Sequence, residues 1–208
     1  MALTNYDELV KQVTDWSHRG DLGTKIPDFI TLAENAMYSN ELENLTVRSM
    51  ETISTALASG QYLSLPDGFE SARSVRFVTS GGTGELKFQA PEQMYKEPST
   101  GKPNFFTIVG NEIQFDRTPD SEYTIELQYY RKATPLSDDN QTNDILTNHP
   151  SIYLYGALAQ VFAYSQDEQQ LGKYIQLFTG SIKGANKADK KGRYGPAPSL
   201  SIDCGMTP

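Results

Sequence analysis

Cysteine and histidine are scarce in this chain, and their scarcity limits the chemistry open to it. The 208 residues include one cysteine, Cys204, and two histidines, His18 and His149. A single cysteine excludes an internal disulfide and a zinc site built from cysteines. A reducing compartment is therefore permitted but not required.

Long apolar runs are also absent. No stretch approaches the roughly 20 apolar residues of a membrane-spanning helix. The residues from Met1 to Glu8 lack the basic and apolar regions of a signal peptide. We therefore expect neither insertion into a membrane nor secretion by the usual route.

Common catalytic motifs are missing as well: Gly-x-Ser-x-Gly, His-Glu-x-x-His and Cys-x-x-Cys do not occur. His18 lies near two aspartates, where a base or a metal ligand is one interpretation, but a lone histidine at a helix end is more often simply exposed. The same holds for His149, which precedes Pro150 at an expected helix entry. We therefore predict no catalytic residue, no metal site and no cofactor.

Acidic residues outnumber basic ones, 26 to 18, which gives a formal net charge of −8. A chain this acidic is a poor candidate for binding nucleic acid by neutralising phosphates. The exception is residues 183–193, where five basic side chains accompany only Asp189. Positive charge suits the C-terminal end of a helix, so a solvated helix end is the simpler interpretation and contact with DNA is the alternative.

Apolar periodicity predicts helices at both ends of the chain. One amphipathic helix is expected over residues 4–19, with Thr4 as its cap, and a second starts at Pro27. Two further helices are expected later in the chain. The first opens at Pro150 and is apolar on most sides, which indicates deep burial, and the second starts near Asp167.

The middle of the chain has the period-two pattern of β-strands. The clearest hairpin turns at Gly110 and Asn111, and residues 123–129 alternate apolar and polar side chains. The glycines of residues 81–84 are interpreted as a hairpin loop. We expect residues 45–132 to form an antiparallel β domain with one buried face.

The predicted fold class is α+β, with a helical bundle, an inserted antiparallel β domain and an extended C-terminal tail. From Gly192 onward the sequence is rich in glycine and proline, which do not continue a helix and add little to a core. The predicted divisions are 1–44 for an N-terminal helical hairpin, 45–132 for the β domain, 133–191 for a connecting loop and two bundle helices, and 192–208 for a docking tail.

One stretch, residues 146–159 (LTNHPSIYLYGALA), closely resembles the signature of head-to-tail adaptor proteins of tailed bacteriophages, related to the tail tubular protein A type. Three more motifs fit the same family: residues 6–9 (YDEL), 62–69 (YLSLPDGF) and 192–198 (GRYGPAP). The resemblance covers nearly the whole chain. It implies a structural virion protein that is not an enzyme.

Such adaptors form a ring, usually of twelve copies, between the portal and the tail nozzle. The ring extends the DNA channel and provides the platform for tail attachment. The resemblance thus implies four partners: the portal, the nozzle protein, neighbouring adaptor subunits, and genomic DNA that passes without sequence-specific binding. It places the protein at the head-tail interface of the virion, after assembly in the bacterial cytoplasm.

The same resemblance assigns portal contacts to the tail. The best-matched positions are Gly192, Arg193, Tyr194, Gly195, Pro196 and Pro198. The basic residues before them, Lys183, Lys187, Lys190 and Lys191, are candidate contacts to DNA or to the portal.

The runner-up function is a tail-associated module that binds carbohydrate or a receptor. It is favoured by the 12 tyrosines of the chain. Such a module would be a stable monomer or trimer that is indifferent to a portal. A glycan hydrolase is less favoured, because it needs two carboxylates in one pocket and nothing in the sequence brings two together.

Overall fold

A computed structural model of the chain describes residues 3–39, 43–79, 82–94 and 99–194. The chain divides into two compact units, one of Met1–Ser49 and Thr134–Pro208 and the other of Met50–Ala133. The first unit is therefore built from both ends of the chain. Among the described residues, no helix has the length and apolar character needed to cross a membrane.

The first unit is helical. Its first helix begins after Asn5, whose side chain accepts a hydrogen bond from the backbone N–H of Glu8, so the expected cap at Thr4 is wrong. Its second helix has a proline in the first turn, where the missing N–H costs nothing. The α-helices are α1 (Tyr6–Ser17), α2 (Ile26–Tyr38), α3 (Asp144–Asn148), α4 (Pro150–Tyr164) and α5 (Glu168–Tyr194).

Helix α4 lies at the centre of this unit and packs against each of the other four α-helices. Its buried residues face several directions, and the deep burial expected from its apolar composition is confirmed. At Gly156 a β-carbon would lie 2.9 Å from the Phe178 ring of α5 and 3.0 Å from the β-carbon of Ala33 in α2. Glycine at this position therefore allows both neighbouring helices to approach closely.

In the part of the second unit that the structure describes, seven strands form one sheet in the order β1-β7-β3-β4-β5-β6-β2. All neighbouring strands are antiparallel except β4 and β5, which pair in parallel. The strands are β1 (Glu51–Ala58), β2 (Tyr62–Ser64), β3 (Phe69–Thr79), β4 (Gly82–Phe88), β5 (Phe105–Val109), β6 (Glu112–Phe115) and β7 (Tyr123–Arg131).

The predicted fold class is wrong. The chain is not a helical bundle with a small inserted antiparallel domain, because its described residues combine five α-helices with a nearly closed, seven-stranded sheet that contains a parallel pair. The extended tail does not start at Gly192 either, since α5 continues to Tyr194. A glycine costs a helix only about 1 kcal/mol. The ion pair of Arg193 with Asp189, one turn earlier, supports this last turn.

The core of the sheet follows from strict alternation along β7, which lies between β1 and β3. In β7 the inward residues Tyr123, Ile125, Leu127 and Tyr129 are buried and their neighbours are partly exposed. The predicted alternation over residues 123–129 is thus confirmed, as is the β5-β6 hairpin. Val75 of the neighbouring strand β3 and Phe115 of the more distant strand β6 are fully buried in the same cluster.

Of the expected hairpin loop over residues 81–84, residues 82–84 instead belong to β4, and Gly81 lies outside the described residues. Gly84 lies opposite Phe77 of β3, and a β-carbon there would lie only 2.0 Å from the Phe77 ring. The ring therefore covers the glycine backbone, and the ammonium group of Lys102 lies 3.9 Å from the ring centre. The absence of a side chain at Gly84 thus makes room for the Phe77 ring and does not serve a turn.

Gly84→Ala should destabilise the sheet by about 2 kcal/mol, because the added methyl group forces the buried Phe77 ring out of its position. Calorimetric unfolding of the purified variant measures the loss. Gly60→Ala is the matched control, since no atom lies within 4 Å of its added carbon. Equal stability of the two variants would contradict the packing role of Gly84.

Candidate docking surface on the C-terminal helix

The four lysines identified from the sequence lie on one side of α5. Spacings of four, three and one residues place them within roughly a 100° sector of the helix surface. Each is exposed to solvent. We call these residues the basic surface of α5: Lys183, Lys187, Lys190 and Lys191.

The opposite side of the same turns is buried. Ile182 is completely inaccessible to solvent, and Ala185 and Asn186 are also buried. The C-terminal half of α5 is thus amphipathic, with an apolar side held in the helical unit and a basic side in solvent. Burial of one side gives the lysines a rigid backbone from which to contact a partner.

Asn186 fixes α5 against the chain that follows α2. Its side-chain oxygen accepts a hydrogen bond from the backbone N–H of Thr46 at 2.9 Å. Its amide nitrogen donates at 2.8 Å to the carboxylate of Glu43 and at 2.8 Å to the carbonyl of Asn44. A buried amide with all three bonds made is stabilising, and loss of one bond would leave a buried polar group unpaired.

The last turn of α5 contains three of the predicted portal contacts. Gly192 is exposed, whereas the Arg193 guanidinium donates to Asp189 at 3.1 Å. Tyr194 is the last residue of the helix. The other predicted contacts, at positions 195, 196 and 198, lie outside the described residues, so the six positions stay a prediction.

The two histidines occupy helix ends. His18 is an exposed residue after α1 with a φ angle of 54°, in the left-handed region that often ends a helix. His149 precedes α4, and burial lowers its pKa, an effect that the nearby carboxylate of Asp189 opposes. No group of three or more His, Cys, Asp or Glu side chains in the described part of the chain could hold a metal ion.

One buried acid escaped the sequence analysis. Glu34 of α2 accepts hydrogen bonds from the backbone N–H of Leu136 at 2.9 Å and from the Tyr153 hydroxyl at 3.0 Å. The amide of Asn143 donates to the same hydroxyl at 2.7 Å. The carboxylate thus attaches the connecting segment after the sheet to α2 and α4. One feature of the sequence does indicate its burial: Glu34 lies four residues after Ile30, and therefore on the same buried face of α2.

Two concave regions were also missed. A cavity of about 610 Å³ opens in the sheet beside β3, with Phe69, Leu86 and Phe106 among its lining residues. A smaller one of about 290 Å³ lies in the helical unit and is lined by Trp16 and Tyr174 among others. Neither cavity could be predicted from a sequence motif, because each is lined by residues that are far apart in the chain.

The model of one protein family, described as SU10 adaptor protein, matches residues 4–199 of the chain. A search of curated proteins found no match. The matched range takes in the sheet and the basic surface of α5. The resemblance to a phage adaptor family is therefore confirmed, and the closer relation to the tail tubular protein A type stays a prediction.

Glu34 should make the stability of the helical unit depend on pH. Burial raises its pKa above the ordinary value of 4.5, so the folded chain binds this proton more tightly than the unfolded chain does. Glu34 therefore contributes more to the free energy of unfolding as the pH falls towards its raised pKa, and less as the pH rises above that pKa. The free energy of unfolding of the unmodified protein, minus that of Glu34→Gln, should increase from pH 7 to pH 5 in urea titrations. A difference independent of pH would contradict this.

Proposed function

Because the chain belongs to the SU10 adaptor protein family, we propose that it is a structural protein at the junction between the head and the tail of a phage particle. The observation that carries the proposal is the family match over residues 4–199, which spans parts of both compact units. No feature of the described residues requires catalysis: the buried acid Glu34 is occupied by structural hydrogen bonds.

In this role, several copies form a ring between the portal and the tail nozzle, and the portal symmetry sets their number, usually twelve. The ring extends the DNA channel. A net charge of −8 supports this part of the proposal, because an acidic protein does not retain a passing polyanion. The sites of nozzle contact, and assembly in the bacterial cytoplasm, belong to the same proposal.

The C-terminal end of α5 is the proposed portal contact. The basic surface of α5 is exposed on a helix whose other side is buried, so a partner meets it without reordering the backbone. Charge-charge attraction to acidic groups of the portal would then orient the encounter and weaken with added salt. Residues 192–198 extend this contact beyond the lysines.

The first test is the mass of the complex that forms when the purified chain is mixed with its cognate portal ring. The full chain should add about one copy per portal subunit, as a matched symmetric ring requires. A chain truncated after Tyr194, which keeps all of α5, should add far fewer copies. Binding by neither chain would favour the receptor-binding alternative, and equal binding by both would remove the tail from the contact while retaining the adaptor.

Reversing the charge of the basic surface should weaken portal binding. Replacement of Lys183, Lys187, Lys190 and Lys191 by Glu should lower the affinity at least about tenfold at low salt, with a smaller effect at high salt. The matched control replaces the same four residues by Arg and keeps the charge. Equal affinity of the Glu and Arg variants would show that this surface does not contact the portal.

A further inference from the structure

The sheet opens between β3 and β4. Strand β3 pairs with β7 along most of its length, but it pairs with β4 only from Val75 to Thr79. The last residues of β4, Lys87 and Phe88, do not pair with β3 but pair in parallel with β5. In the described ranges, residues 69–74 of β3 therefore have no strand partner on the side opposite β7.

The cavity of about 610 Å³ lies at this opening. We call it the β3 groove. Phe88, one of its lining residues, is 63% exposed, so the groove presents a large apolar side chain to solvent. Unpaired backbone beside an apolar depression is the arrangement that accepts an added strand, since backbone groups supply hydrogen bonds and pockets take alternate side chains. The apolar lining residues are Phe69, Ala72, Val75, Leu86, Phe88, Phe106 and Ile108.

The charges nearest the unpaired part of β3 are already neutralised. Glu70 and Arg73 lie at the two irregular positions of the β3-β7 register. Lys132 pairs with Glu70 at 3.1 Å, and Arg73 pairs with Glu51. The lining also includes one further acid, Glu85, and one further base, Lys87. The lining side chains therefore have no net charge, and the groove suits a segment that is mostly apolar on one face.

The sequence of this chain contains such a segment after α5. Apolar residues at 200, 202, 204 and 206 alternate with Ser, Ser, Asp and Gly, which is the pattern of a strand with one apolar face. Prolines precede and follow residues 199–206 but none falls within them, so every backbone N–H in the segment can donate. The segment lies outside the described residues, and the family match ends at residue 199.

We propose that the β3 groove of one copy binds residues 199–206 of a second copy as an added strand. Eight extended residues span about 26 Å and the six unpaired residues of β3 about 20 Å, so the segment is long enough to cover them. The inference rests on the proposed assembly of several copies, which brings a second chain within reach. It extends that function by naming the contact that joins neighbouring subunits.

The single cysteine of the chain allows a direct test by disulfide cross-linking in the portal complex. Cysteine is introduced in the groove by Ser71→Cys or Ala72→Cys, two adjacent positions that point to opposite faces of β3. Cys204 is the only other thiol. A disulfide forms when the two β-carbons come within about 4.5 Å. Mild oxidation should give covalent dimers and longer chains on non-reducing gels, and Cys204→Ser should abolish them.

Thr55→Cys is the matched control. Thr55 is exposed on β1, which lies at an end of the sheet and so also has one edge without a strand partner among the described residues. It should give no dimers. Cross-linking at Thr55 instead of the groove would overturn the assignment of the site. A disulfide within one chain, seen as a monomer two hydrogens lighter, would overturn the second copy as the source of the strand.

Side-chain changes in the segment separate its two faces. Ile202→Asp should reduce the yield of groove cross-links at least about tenfold, because it places a charge in the apolar groove. Ser201→Asp, on the polar face, should leave the yield unchanged. A complex that forms on the portal with normal mass but gives no groove cross-links would overturn this inference and leave the adaptor function standing. Failure to bind the portal at all would instead count against the proposed function, and the inference would fall with it.

Discussion

Helix α4 has apolar residues on almost every side, and burying all of them requires cover from several directions. Helices α1 and α2 supply part of that cover from the start of the chain, and α3 and α5 supply the rest after the sheet. Gly156 of α4 allows α2 and α5 each to lie close to α4. The helical unit must therefore be closed by both ends of the chain, and the sheet is the segment between them.

The same constraint determines which surface remains for partners. Because Ile182 and Asn186 of α5 are buried in the helical unit, the other side of this helix faces solvent. That side carries lysines, and solvation of their charges is compatible only with exposure. The position of the basic surface is thus a consequence of core packing, although the lysines add little to stability themselves.

Features that depend on local periodicity could be predicted from the sequence, whereas features that depend on distant pairing could not. The burial of α4, the β5-β6 hairpin and the alternation of β7 each follow from residues close together in the chain. The parallel pairing of β4 with β5 and the role of Gly84 require knowledge of which strand lies beside which. The candidate site divides in the same way: the lysines were predicted, while the β3 groove exists only because two strands part beyond Val75.

The two proposed contact surfaces differ in the range over which they act. The attraction of the basic surface extends about 8 Å at physiological ionic strength, so it can orient a partner before contact. The β3 groove gains free energy only when apolar side chains and backbone groups meet, and ordering the added segment opposes that gain. If the two proposed contacts form in this order, binding through charge would raise the local concentration of the neighbouring segment, because each copy held on the portal would bring its own residues 199–206 near the next groove. Charge and strand addition would then act in succession, with orientation first and the link between neighbours second.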